Sequence, residues 1–281
     1  MKTVLTMTSW TQRINFVAKS IYTFLTSQSV KPDIFYLWLS VEEFPEKEKS
    51  LPSDLLKIVK YFNINLQWIP TNEYCHKRWY VYPKHYNDLV ICIDDDQIYP
   101  NTLIEDAQKL CNTENSKNII YNIFYDLTYA SIYRGIRFVK HMNAWDNRPS
   151  MFKTFNGQSI FPPNTFPLEA ITPENILLRK KYCKICDESW LMPFIKYNNT
   201  EIGSLNAMYN ETNVSDIGRT FVKMSKTVYN TVTVQDMQLY IVLRLFPKLM
   251  EKWKSLFPSY ITDDFDKCSI DSLVYEMNSW L

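Results

Sequence analysis

The chain reads as an α/β fold, a mixed but mostly parallel sheet flanked by helices with a helical C-terminal extension, and three observations carry that reading. Runs such as Ile34–Leu39 and Leu89–Ile93 are apolar at every position, the pattern of strands covered on both faces. These runs alternate with stretches whose apolar residues recur at helical spacing, which is the signature of right-handed βαβ units. A length of 281 residues with 46% hydrophobic and 22% charged residues allows one large folded domain with an appendage and excludes disordered and fibrous classes.

In chain order, Val4–Thr8 is the first expected strand and Ser9–Gln12 a polar turn. Ile14, Val17, Ala18, Ile21, Phe24 and Leu25 mark one face of a helix that ends before Lys31-Pro32. Ile34–Leu39 is a second strand and Glu42–Lys49 a charged loop. Pro52-Ser53-Asp54 then opens a helix whose apolar face is Leu55, Ile58, Val59 and Phe62. Leu66–Ile69 is a third strand, closed by Pro70, and Leu89–Ile93 a fourth. Leu103, Ala107 and Leu110 mark another helix, with strands expected at Asn118–Phe124 and Gly157–Phe161. Thr172-Pro173-Glu174 is a helix start, with a capping hydroxyl, proline at the first helical position and an acid in the first turn. From Val234 to Leu281 the chain looks helical. Tyr240, Ile241, Leu243, Leu245 and Phe246 stand among Arg244, Lys248, Lys252 and Lys254, so this stretch either covers the core, the preferred reading, or lies on a membrane surface.

The fourth strand carries the most informative feature, because it runs into Asp94-Asp95-Asp96. Three adjacent carboxylates repel, and burying any of them without a partner is costly, so the pattern calls for a cation and a polar ligand. In open α/β sheets ligands bind beyond the carboxyl ends of strands. The plainer alternative is an acidic turn, since Asp is common in turns. A second acidic pair, Asp187-Glu188, precedes Ser189-Trp190; the helix dipole alone would favour carboxylates there.

Composition excludes several function classes. With four Gly in the whole chain, neither a G-x-G-x-x-G nor a G-x-x-x-x-G-K-[ST] loop is present, so dinucleotide and P-loop readings fail. A net charge of +1 and the lack of a long basic run argue against polynucleotide partners. The first ten residues are too polar for a signal peptide, and no window has the roughly 20 apolar residues of a membrane span. The expectation is a cytoplasmic chain with reduced thiols, in which Cys183 and Cys186 are structural rather than metal-binding. The sequons at Asn198, Asn210 and Asn213 then carry no weight. Aromatic residues make up 15%, which suits stacking on sugar faces as well as core filling.

Thr6-Met7-Thr8-Ser9-Trp10-Thr11-Gln12-Arg13-Ile14, Lys31-Pro32-Asp33, Leu37-Trp38-Leu39-Ser40, Glu43-Phe44-Pro45 and Ile93-Asp94-Asp95-Asp96-Gln97-Ile98-Tyr99-Pro100 resemble the GT-A nucleotide-sugar glycosyltransferases. The likeness is to a bacterial branch associated with surface polysaccharides such as capsule and lipopolysaccharide, and it covers most of residues 1–200. It implies a Rossmann-like GT-A domain over 1–230, with a nucleotide-sugar-binding half (1–124), an acceptor-side half (125–230) and the helical extension over 231–281. By that resemblance Asp94 and Asp96 are the ends of a D-x-D motif, with Asp96 the direct ligand of Mn²⁺ or Mg²⁺, Asp94 towards ribose or donor sugar, and Asp95 assisting. The donor, a UDP-linked sugar, is expected near Thr8, Ser9 and Arg13, with Ser40 where many relatives carry an acid and Lys77 or Arg78 on phosphate or base.

Asp187 and Glu188 are the candidate bases of an inverting transfer, Asp187 slightly ahead. The acceptor is expected to be a bacterial glycan or lipid-linked glycan, met at the inner face of the membrane if the C-terminal helices touch it. Departures from the family's pattern are Pro193 inside the expected helix, a single glycine in Gly157–Pro163, and no histidine after His141 to complete a metal shell. Two other classes stay open: a metal-dependent phosphohydrolase or nucleotidyltransferase, since clustered acids also build two-metal sites, and a non-catalytic glycan-binding protein.

Overall fold

A computed structural model describes residues 1–112, 118–123, 158–205, 232–256 and 269–279. Among the described residues seven strands form one sheet: β1 (Thr3–Thr8), β2 (Ile34–Ser40), β3 (Asn65–Ile69), β4 (Leu89–Cys92), β5 (Ile119–Asn122), β6 (Ser159–Phe161) and β7 (Glu201–Ser204), in the spatial order β3-β2-β1-β4-β6-β5-β7. The first four are mutually parallel; β6 runs antiparallel to both β4 and β5, and β7 is parallel to β5. The α/β class and the mostly parallel sheet thus hold, and the strands of both expected halves share one sheet. Phe124, Gly157, His141 and the sequons at Asn210 and Asn213 lie outside the described residues.

The all-apolar runs do what their pattern requires, since alternate side chains feed two cores. Leu5, Met7, Leu37, Leu39, Leu89, Ile91 and Ile93 face one side, where they meet α1 (Ile14–Ser27), Leu55 of α2 (Ser53–Tyr61) and Leu103, Ile104 and Ala107 of α4 (Leu103–Cys111). Val4, Tyr36, Trp38, Val90 and Cys92 face the other, against Trp79, Val81 and Tyr82 and against α6 (Asp187–Tyr197), α7 (Val232–Leu245) and α8 (Pro247–Leu256). Right-handed crossovers explain the split: β1 to β2 to β3 steps one way with its helices on one face, and the return from β3 to β4 crosses the other. That return holds a 3₁₀ segment, Tyr74–Val81, and the short helix α3 (Tyr82–His85).

Thr172 caps α5 (Pro173–Tyr182) as expected, its hydroxyl accepting from the Asn175 N–H at 3.3 Å. Helix α6 runs on through Pro193 to Tyr197. Its Trp190 is wholly buried, donates from its indole N–H to the Ala170 carbonyl at 2.8 Å, and meets Phe246 edge-on. The C-terminal helices α7, α8 and α9 (Ile270–Ser279) cover the core: Tyr240, Ile241, Leu243, Leu249 and Trp253 are buried. Among the described residues no helix is long and apolar enough to cross a membrane.

Candidate functional site

Strand order reverses between β1 and β4, because the chain steps from β1 to β2 on one side and returns to β4 on the other. Loops leaving two such neighbours diverge and open a crevice at their carboxyl ends. Register fixes what meets there: Thr6 pairs with Cys92, so three residues further Ser9 stands opposite Asp95, and the Ser9 hydroxyl donates to Asp95 Oδ2. Arg13, the residue before α1, places Nη1 on both Asp95 Oδ1 (3.2 Å) and Asp96 Oδ2. The acid triplet is therefore built into the fold rather than displayed on a solvated turn. Asp95 and Asp96 are 2% and 4% exposed.

The three carboxyls differ in their ionisation. Burial pushes Asp95 up to about 6, against the pull of Arg13 and Ser9 and helped by repulsion from Asp96 and Asp94. Asp96 is raised by burial and by Asp94, with Arg13 opposing. Asp94 goes the other way. Its burial is outweighed by the Arg78 guanidinium and by the Gln158 side-chain amide, which donate to its two oxygens at 2.7 and 2.6 Å and hold it below the usual carboxylate range. The Asp94 backbone N–H also donates to the Tyr99 hydroxyl at 2.7 Å.

The basic pair expected on phosphate or base is interior, at 1% exposure for Lys77 and 5% for Arg78. Lys77 Nζ donates to the Ser9 carbonyl and to Glu43 Oε2, both at 3.0 Å, and burial lowers its pKa against that carboxylate. Ser40 does not reach the pocket; it is fully buried and donates to the same Glu43 oxygen at 2.7 Å. Glu43 thus brings an acid to the end of β2, three residues beyond the position where the resemblance led to one being expected. The resemblance takes in Glu43 through Glu43-Phe44-Pro45 but gives it no role.

Arg78 joins the two acidic features that the sequence shows far apart. Besides Asp94, its Nε lies 3.5 Å from Asp187 Oδ2 and donates to the Cys75 carbonyl at 3.1 Å. Asp187, 1% exposed at the start of α6, also accepts the Trp79 indole N–H at 2.8 Å. Neighbouring Glu188 is pushed up to about 8 by burial and by repulsion from Asp187, and its Oε2 accepts the Cys186 thiol at 3.1 Å. The residue before the helix, Cys186, donates its backbone N–H to Oε1 of Gln238 on α7 at 3.1 Å. Cys183 and Cys186 are free buried thiols, as expected. Burial and the nearby charges of Arg179 and Arg78 push buried His76 well below the usual imidazole range.

A pocket of about 190 Å³ opens over these groups, walled by Thr8, Ser9, Arg13, Lys77, Arg78 and Asp94, with the aromatic rings of Trp10 and Tyr74 at its side. The Thr8 hydroxyl donates to the Trp38 carbonyl at 3.1 Å. Tyr74 adopts φ 49°, a left-handed conformation uncommon for a bulky residue, and its N–H donates to Asn72 Oδ1 at 2.9 Å. Beside it, buried Glu73 ion-pairs with Arg179 and Lys180 of α5, which ties the segment bearing Lys77 and Arg78 to the later half of the chain. Seven of the sequence-predicted residues thus gather at one place: six line the pocket, and Asp187 joins them through Arg78. Ser40, Asp95, Asp96 and Glu188 lie off the pocket wall.

Among the described residues no three His, Cys, Asp or Glu side chains converge as a ready cation cage. The donor chemistry nevertheless fits a hard divalent ion, since the triplet offers only carboxylate oxygens and Asp95 Oδ1 is buried without a hydrogen bond. Arg13 fills the space between Asp95 and Asp96.

No family model and no curated protein matches this chain. Among solved structures it is similar to the crystal structure of Staphylococcus aureus TarS residues 1–349, at 14% identity over 100% of this chain and 71% of that one, with a TM-score of 0.45.

Proposed function

We propose that this chain is an inverting glycosyltransferase that moves a sugar from a UDP-linked donor to a hydroxyl of a bacterial glycan or lipid-linked glycan, of the capsule or lipopolysaccharide kind. The observation that carries the reading is Arg78, a buried cation on the pocket wall shared by Asp94 at the end of β4 and Asp187 at the start of α6. A donor diphosphate needs fixed positive charge, and Arg78 and Arg13 offer guanidinium forks suited to phosphate oxygens. Lys77, saturated by Glu43 and the Ser9 carbonyl, shapes the pocket from behind. Asp94 and Asp96, with Asp95 beside them, are the residues that would hold Mg²⁺ or Mn²⁺, which when bound supplies Lewis-acid charge to the leaving diphosphate.

In the transfer the acceptor oxygen attacks the anomeric carbon, the bond to the diphosphate oxygen breaks, and the acceptor's proton passes to a carboxylate. Glu188 is the better base of the pair. Asp187 is committed to Trp79 and Arg78, while burial and the charge of Asp187 raise the affinity of Glu188 for a proton. Cytoplasmic placement belongs to the same proposal. Contact with the inner membrane face would rest on charge, because α8 turns Leu249, Met250 and Trp253 inward. A screen of nucleotide sugars with Mn²⁺ or Mg²⁺ that follows nucleoside diphosphate release tests the reading. Slow hydrolysis of one donor, lost in Asp96→Ala, supports it; release of inorganic phosphate with no nucleoside diphosphate overturns it.

A further inference from the structure

We propose that Arg13 is an exchangeable counter-ion: in the free protein its guanidinium sits on Asp95 and Asp96, where it blocks Asp96 from a divalent cation, and it moves from there to the donor's diphosphate. The proposal rests on the glycosyltransferase reading above. Asp95 and Asp96 are buried and do not line the pocket, whereas Arg13 does, with 22% of its side chain exposed. A cation entering through the pocket therefore reaches Asp96 only as Arg13 leaves.

Arg13 is also poorly satisfied where it stands. One nitrogen, Nη1, carries both carboxylate contacts, and Nε is buried with no hydrogen-bond partner. An arginine settled for good in a buried ion pair uses its fork, since desolvation of the charges is repaid only by good geometry. The charge balance points the same way. One guanidinium against two buried carboxylates leaves one negative charge unmatched; a divalent cation with oxygen ligands closes that gap. The displaced guanidinium needs an anion, and a diphosphate bound in the same pocket offers two oxygens to its fork. Arg13 also stands at the first residue before α1, so its side chain can swing between the two positions without altering a helix or strand.

Removing the competitor should then tighten one ligand and loosen the other, a pair of opposite signs that simple damage to the site does not produce. Mn²⁺ binding is read from the free-ion electron-resonance signal, and UDP binding in saturating Mn²⁺ from calorimetry, for wild type and Arg13→Gln. Arg13→Gln is expected to bind Mn²⁺ alone about tenfold more tightly, and UDP about tenfold more weakly, than wild type. In the wild-type protein, which needs no variant to fold, the Arg13 Nε–H resonance should exchange faster with water once Mg²⁺ is saturating. Unchanged exchange at saturation, or Mn²⁺ bound no more tightly by Arg13→Gln, overturns the counter-ion role while leaving the cation site standing. Failure of both proteins to bind Mn²⁺ with or without UDP overturns the role together with the metal-dependent reading on which it rests.

Discussion

Arg78→Met is the most searching test of how the site is assembled. Methionine matches much of the arginine stem but takes the cation shared by Asp94 and Asp187 away, and Asp187 sits where water hardly reaches while Asp94 is partly open to the pocket. Breaking a buried ion pair by removing one partner typically costs about 3–5 kcal/mol, because an uncompensated charge stays behind. Asp94 keeps the Gln158 amide and Asp187 the Trp79 indole, so a loss of about 3 kcal/mol at pH 7 is expected.

The pH dependence has a definite sign. In the wild type the pKa of Asp94 is depressed, so its contribution is present above the ordinary carboxylate value of 3.8 and is lost as pH falls through the lower folded value. Without Arg78, burial dominates and the Asp94 pKa rises, so the variant loses stability as pH climbs. The difference between the two proteins should be widest near pH 8 and narrow below pH 5. Urea denaturation followed by tryptophan fluorescence at several pH values measures it. A loss under about 1 kcal/mol, the scale of an exposed pair, or a loss that does not vary with pH, would refute the claim that Arg78 is the internal counter-charge.

Glu188→Gln should lower turnover by about a hundredfold or more with UDP affinity unchanged, and wild-type turnover should rise with pH through about 8 as the base ionises. Because burial raises that carboxyl, the stability it lends is complete below the ordinary value of 4.5 and is lost as pH rises through 8. Glu188→Gln should therefore raise the melting temperature more at pH 8.5 than at pH 4.5. Trp79→Phe removes the N–H on Asp187 and should cost about 1–3 kcal/mol in urea denaturation. Gln238→Leu strips the acceptor from the buried Cys186 N–H and should cost a similar 1–3 kcal/mol or so, with amide exchange faster at the start of α6 than elsewhere.

What was legible in the sequence and what was not follows the range of the interactions. The two-faced strands and amphipathic helices announce themselves because their period lies within a dozen residues, and Thr172 because a cap acts over one turn. The acid triplet was legible as chemistry, for three adjacent carboxylates are costly under any fold. Their counter-charges were not. Lys77 and Arg78 lie in a 3₁₀ segment with no apolar period of its own, so nothing local marks them for burial; they are buried because Asp94, Asp187 and Glu43 converge from 16, 109 and 34 residues away.

Gln238 marks the far end of that range. A buried amide on a C-terminal helix is indistinguishable in sequence from an exposed one, yet it satisfies the backbone just before Asp187 and Glu188. The helical extension therefore does more than cover apolar area. A register slip of α7 would move Gln238 from the Cys186 N–H, expose α6 to fraying at its first turn, and loosen Asp187 from Arg78 and Trp79 together. The acids at the end of β4 and those at the start of α6 are thus held to one geometry through Arg78, and the C-terminal helices belong to that geometry as much as the strands do.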